Sequence, residues 1–122
     1  MAEHNDRGRW GEQKAAEYLE RSGYRILWRD WRCGHRDIDI VAVDADHLVI
    51  VEVKTRRNND YMEPEQAVDA RKRRSLGIAA AQLAATCGMD MPLRFDIITV
   101  TGTGDDDCRI NHIEDAFTPM QY

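Results

Sequence analysis

The chain is short of cysteine, of long apolar runs and of positive charge, and each shortage excludes something. Its 122 residues include three cysteines, Cys33, Cys87 and Cys108. An odd number without a Cys-x-x-Cys spacing does not make a disulfide framework, so a reducing cytoplasm is the simplest home. The longest apolar stretch of note, Leu48–Val53, falls far below the roughly 18 residues that a transmembrane helix needs. Residues Met1-Ala2-Glu3-His4-Asn5-Asp6 hold no apolar signal core, so export and a membrane partner are not expected. Lysine and arginine total 17 against 22 aspartates and glutamates, a net charge of −5. That balance counts against a simple nucleic-acid binder and makes long-range steering of a polyanion weak. Internal repeats and low-complexity tracts are absent.

What is present is the balance of one soluble globular domain over residues 1–122, with 43% hydrophobic and 32% charged residues. The basic groups cluster in the first 36 residues and around Lys54–Arg74, whereas the part after residue 75 holds two basic side chains and seven acidic ones. A polyanion could therefore be held locally.

The pattern predicts an order αβββαβ(β). Asp6 can cap a helix starting near Arg7, with Ala15, Ala16 and Leu19 at helical spacing and Ser22-Gly23 as its stop. Tyr24–Arg32 reads as a strand. Asp37–Val43 and His47–Lys54 read as two more, joined by a turn at Asp44-Ala45-Asp46. Pro64, flanked by Glu63 and Glu65 and followed by Asp69, suits the start of a second helix ending near Thr86, before Gly88. Arg94–Thr101 is a fourth strand and Cys108–Ile113 a short fifth. Val49, Val51 and Val53 on one side, with Leu48 and Ile50 on the other, make the third strand central and buried on both faces. The helices then cover the two faces of a small mixed sheet, an α/β fold.

Pairing the second and third strands across a two-residue loop at Ala45-Asp46 puts Asp39 opposite Glu52 and Asp37 opposite Lys54. Val41 and Val43 then face Ile50 and Leu48. This face turns from apolar, near the turn, to two carboxylates and a lysine at the far end. Adjacent carboxylates repel, so one takes a proton or both hold a cation. Their hard oxygens suit Mg²⁺ or Mn²⁺. A structural ion cluster at a sheet edge is the competing reading. Glu12 extends the buried stripe of the first helix, and Lys72 interrupts the stripe Val68, Leu76, Ala79/Ala80 and Leu83 of the second. Arg71, Arg73 and Arg74 look outward, as a solvated face.

Gly11-Glu12, Gly23-Tyr24, Asp37-Ile38-Asp39, Val51-Glu52-Val53-Lys54-Thr55-Arg56, Pro64-Glu65, Ala67-Val68, Lys72 and Arg94-Phe95-Asp96-Ile97-Ile98, in this order, resemble the YraN-like family over about residues 8–117. That family in turn resembles the PD-(D/E)xK nuclease superfamily, the archaeal Holliday-junction resolvases in particular. The resemblance implies a restriction-endonuclease-like αβββαβ core and hydrolysis of phosphodiesters in structured or branched DNA with Mg²⁺ or Mn²⁺. Asp39 and Glu52 would be metal ligands, with the Val53 carbonyl as a further one. Lys54 would position or activate water, Glu12 would complete the acidic cluster directly or through water, and Lys72 would support the site. Two departures stand out: Arg36 where the family tends to have Gly, and Asp37 for the usual Glu.

Arg56 and Arg57, directly after the site strand, are the expected phosphate contacts. Trp28, Trp31, Arg29 and Arg32 could stack on bases or grip phosphate, or divide between core and surface. Asp105-Asp106-Asp107 reads as a solvated turn. Neither Cys33 with His35 nor Cys108 with His112 fits a familiar zinc spacing. The alternative function is a nucleic-acid-binding or adaptor module that keeps the fold without turnover. A third reading is a homodimer or protein complex formed through residues such as Met120 and Tyr122.

Overall fold

The computed structural model describes residues 2–58 and 68–119. The elements run α1 (Ala2–Arg21), β1 (Arg25–Cys33), β2 (Arg36–Asp44), β3 (His47–Arg56), α2 (Ala70–Cys87), β4 (Leu93–Thr101) and β5 (Arg109–Ile113). The strands form one sheet in the order β1-β2-β3-β4-β5. Only β3 and β4 are parallel; the other neighbours are antiparallel. α2 joins the parallel pair, as a crossover must. The expected α/β order is thus observed. Pro64, Glu63, Glu65, Met120 and Tyr122 lie outside the described residues. Among the described residues, no helix is long and apolar enough to cross a membrane.

β3 is central. Leu48, Val49, Ile50 and Val51 are all buried. Val49 and Val51 pack with Ala15, Ala16 and Leu19 of α1, while Leu48 and Ile50 pack with Leu76, Ala79, Ala80 and Leu83 of α2. Apolar strand residues on both faces are what a helix-covered sheet requires.

Both helices start elsewhere than the pattern predicts. α1 begins at Ala2, before Arg7, and the Asp6 carboxylate lies inside the helix, 2.6 Å from the Arg9 guanidinium. α2 begins at Ala70, and the expected start at Pro64 lies outside the described residues. Asp69 is extended there (ψ 176°), and its carboxylate accepts the Lys72 N–H at 2.9 Å, satisfying a donor that the first turn leaves orphaned. The other end follows expectation. Gly88 adopts the left-handed conformation (φ 65°), and Met89 N–H reaches back to the Ala84 carbonyl at 2.9 Å, as a Schellman cap does.

The acidic turn before β5 is more than solvated. Asp105–Asp107 form a short 3₁₀ turn. Asp105 accepts Trp10 Nε1–H at 2.8 Å and pairs with Lys14 at 3.2 Å, pinning α1. Asp107 takes the Thr103 and Gly104 N–H groups and the Thr103 hydroxyl, which hold its carboxyl down to about 2.

α1 approaches β3 closely at Gly11, where an added Cβ would collide with Thr55 Oγ1. Gly11→Ala should destabilise by about 1–3 kcal/mol despite the better helix propensity of alanine, because the clash is with a sheet residue. Urea unfolding should show this loss, and adding Thr55→Ala should recover part of it. An unchanged midpoint for Gly11→Ala would mean that α1 slides freely over β3.

Candidate active site

The β2–β3 ladder follows the expected register from Asp44↔His47 to Ile40↔Val51. The next antiparallel pair, Asp39 with Glu52, does not form. Instead Asp39 Oδ2 accepts the Val53 N–H at 2.8 Å, and the two strands fork around it. The N–H and C=O of one strand residue point to the same side, so the Val53 carbonyl also faces the fork.

A second irregularity explains the fork. β1 pairs Arg29 with Ile40 and then Trp31 with Ile38, skipping Asp30 and Asp39. Asp30 has a positive φ of 52°, unusual for a residue with a side chain. Both strands change sides here. Ile40 and Ala42 pack in the α1-side core, whereas Ile38 packs in the α2-side core. Strict alternation would have kept Ile38 and Ile40 together. The switch turns Asp37 and Asp39 toward α1, where they line an open cleft of about 1070 Å³ with Glu12, Arg29, Val53 and Thr55.

Glu52 keeps the alternation of β3 and takes its partners from the α2 side. Its side chain is 7% exposed and lies 3.4 Å from Lys54 Nζ and 3.9 Å from Lys72 Nζ. The expectation that Asp39 stands opposite Glu52 on one face with Lys54 is therefore overturned: Asp39 turns to the α1 side, and Glu52 with Lys54 to the α2 side. The carboxylates meet across the fork, one reached from each face. They still feel one another: burial first, and then the Glu52 charge, push Asp39 up to about 7, against the opposing pull of the Val53 N–H.

Glu12 also lies on the α1 side, 3.9 Å from Arg29. Burial raises its pKa, with Arg29 opposing. Among the described residues no three His, Cys, Asp or Glu side chains group closely enough to hold a metal, so Glu12 is not placed for direct ligation with Asp39 and Glu52. Arg56 and Arg57 are not in the cleft lining. The Arg56 carbonyl accepts from Arg7 at 3.2 Å and from the Gly102 N–H at 2.9 Å. Arg57 lines hollows shared with Asp105, Asp106 and Asp107. Of the aromatic-basic stretch, Trp31 packs on the α2-side core and Trp28 is exposed, while Arg29 bonds Gln13 and Arg32 bonds Asp30.

Another aspartate of the sheet shows how unusual Asp39 is. Asp96 is fully buried. It accepts two bonds from Arg94, at 3.0 and 2.8 Å, and the Asp115 N–H at 3.0 Å, and it lies 2.7 Å from His112 Nε2. Burial alone would raise its pKa, yet His112, Arg94 and the Asp115 N–H together hold it below the ordinary value. Arg94 continues to Tyr24 and Asp44, and His112 to Tyr18. This network ties α1, β2, β4 and β5 together. The sequence showed Arg94 and Asp96 two apart on one strand, but gave no sign that His112 and Tyr18 would join them.

The raised pKa of Asp39 has a sign that can be measured. Its folded value, about 7, lies above the ordinary carboxylate value of 3.8. Its contribution to stability is then fully present below the ordinary value and is lost as pH rises through about 7. Without divalent cations, the melting temperature of the wild type relative to Asp39→Asn should fall between pH 5 and pH 8. Asparagine cannot ionise but can still accept the Val53 N–H. Parallel melting curves for the two proteins across that range would remove the raised carboxyl.

Comparison with known proteins places the fork in a family. Residues 11–100 match the model of Uncharacterised protein family UPF0102. A UPF0102 protein of Bacteroides thetaiotaomicron is 50% identical over 122 residues, covering all of both chains. One of Porphyromonas gingivalis is 48% identical over 118 residues, 96% of this chain and 87% of that protein. Another, of Flavobacterium psychrophilum, is 41% identical over 117 residues, 96% of this chain and 98% of that protein. The chain that carries the forked Asp39 and Glu52 pair belongs to the family UPF0102.

Proposed function

We propose that the protein is a metal-dependent nuclease of the PD-(D/E)xK type that hydrolyses phosphodiesters in structured or branched DNA, in a reducing cytoplasm. One arrangement carries the reading: at the fork Asp39, pushed up to about 7 by burial and the Glu52 charge, adjoins the buried Glu52 carboxylate, which lies 3.4 Å from Lys54 Nζ. Perturbed acids gathered in a cleft are commoner at reactive sites than in structural ion networks.

The donor set suits a hard cation. Asp39 and Glu52 supply carboxylate oxygens, and the Val53 carbonyl faces the same gap. Two carboxylates are enough for Mg²⁺ or Mn²⁺, which complete their shells with water and phosphate oxygens. Bound there, the cation would supply Lewis acidity and lower the pKa of a water. The side chains do the rest. Asp39 gives up its proton on loading and is oriented for that by the Val53 N–H. Lys54 holds the Glu52 carboxylate and offers an ammonium to the attacking water or the phosphate. Lys72 neutralises the other Glu52 oxygen from α2. Glu12, pulled by Arg29, shapes the acidic wall of the cleft and would reach the site through water.

A second reading has its own support. Glu52 has two ammonium groups within 4 Å and is balanced without a metal. A nucleic-acid-binding or adaptor module that does not turn over would look the same.

Melting with divalent cations separates the two. A cation that binds only the native site stabilises it by mass action, by about 2.7 kcal/mol at a hundredfold excess over Kd. Mn²⁺ should raise the melting temperature at lower concentration than Mg²⁺, because it tolerates less ideal geometry. Asp39→Asn should abolish the shift while leaving the metal-free protein as stable or more so. Lys54→Ala should keep the shift and lose cleavage of duplex, flap and four-way DNA. No shift in wild type at millimolar Mn²⁺, or an equal shift in Asp39→Asn, would leave the adaptor reading standing.

A further inference from the structure

The first turns of α2 do not form a plain solvated face. Arg73 packs inward: its Nε donates to the Val68 carbonyl at 2.8 Å, and its guanidinium lies over the Phe117 ring at 5.4 Å. Arg71, Lys72 and Arg74 line a cavity of about 390 Å³, closed on its other side by His35 and Arg36 from the β1–β2 turn. Among the described residues Asp69 is the one carboxylate in that lining, and one of its oxygens is engaged in capping α2.

The cations here are unbalanced. Among the described residues, the guanidinium groups of Arg36, Arg71 and Arg74 have no hydrogen bond and no ion pair. Arg36 Nε is itself hidden from solvent and has no hydrogen-bond partner among the described residues. Buried polar groups are almost always paired, so an orphan guanidinium nitrogen at the wall of a basic cavity points to an absent acceptor. The three guanidinium groups also repel each other, in a chain whose net charge is −5. Several basic side chains elsewhere have found carboxylates, as Arg94, Arg32 and Lys14 have.

We propose that this cavity is a docking groove for the phosphodiester backbone of a nucleic acid, leading it to the fork. Guanidinium forks match phosphate oxygens in pairs, and their contacts carry position, not sequence. Lys72 is the link: it lines the groove, and its ammonium lies 3.9 Å from Glu52. A strand held by Arg36, Arg71 and Arg74 would reach Lys72 next and then the carboxylates. Arg56 and Arg57 are the poorer candidates, since Arg57 sits among the carboxylates of the 3₁₀ turn. This assignment rests on the nuclease reading for its direction, but binding can be tested without metal or turnover.

The experiment is fluorescence anisotropy in EDTA, with a fluorescein-labelled DNA duplex and an RNA duplex of equal length, titrated across salt concentrations. Anionic phosphatidylserine vesicles form a third arm. Wild type should bind a duplex with a steep log–log salt dependence. Arg71→Ala/Arg74→Ala, both on an exposed helix face where alanine is tolerated, should keep its melting temperature. It should bind at least tenfold more weakly and lose about 1.8 from the slope on DNA, at about 0.9 per phosphate contact. Arg71→Glu/Arg74→Glu should lose more, and Arg56→Ala/Arg57→Ala should leave the slope nearly unchanged. The DNA and RNA arms tell which backbone is held. An unchanged slope in a folded Arg71→Ala/Arg74→Ala protein overturns the groove, as does binding to vesicles alone or to nothing. None of these results depends on a cation-induced melting shift, so the groove and the metal site fail separately.

Discussion

A strand buried on both faces has no room for a charge, and β3 breaks that rule at one residue. Leu48 to Val51 are sealed between α1 and α2, and then Glu52, 5% exposed, brings a carboxylate into the same layer. A lone buried carboxylate would cost several kcal/mol or take a proton. Everything at this end of the sheet answers to that constraint. Lys54 and Lys72 come within 4 Å of the Glu52 oxygens. The ladder to β2 stops, and Asp39 satisfies the Val53 N–H that the missing pairing would leave orphaned.

Asp96 and Asp39 show how one residue type is shifted in opposite directions in one fold. Asp96 has Arg94, His112 and a backbone N–H around it and is held ionised. Asp39 has one backbone N–H and a like charge as neighbour and is pushed up to about 7. The first arrangement ends in itself: every oxygen is used, and the network ties four elements together. The second leaves carboxylate capacity facing an open cleft. The fork, unlike the better connected network, therefore keeps unused oxygens at a solvent-accessible cleft.

Charge follows the same division in space. An acidic chain can still present a local cationic surface if its carboxylates are occupied elsewhere. Asp105 and Asp107 are drawn into the 3₁₀ turn, Asp96 into its network and Asp69 into a helix cap. Arg36, Arg71 and Arg74 are left without partners among the described residues on one side of the sheet, next to Lys72. The net charge therefore says little about what this side attracts, because screening confines each charge to its own neighbourhood.

The sequence alone determined the element order, the central two-faced strand, the hairpin register and the stop of the second helix. These depend on local alternation, on turn residues such as Ala45-Asp46 and on Gly88, and such signals act over a few residues. It also placed Asp39 and Glu52 near one another, since the register follows from the turn. Only the tertiary structure decided how they meet. The side switch at Asp30 and Asp39 involves two strands at once and has no periodicity to betray it. The start of α2 turned on whether Asp69 would cap. Arg36 joins Arg71 and Arg74 only because the β1–β2 turn folds against α2. A cavity is made by residues distant in the chain, so no window of sequence contains it.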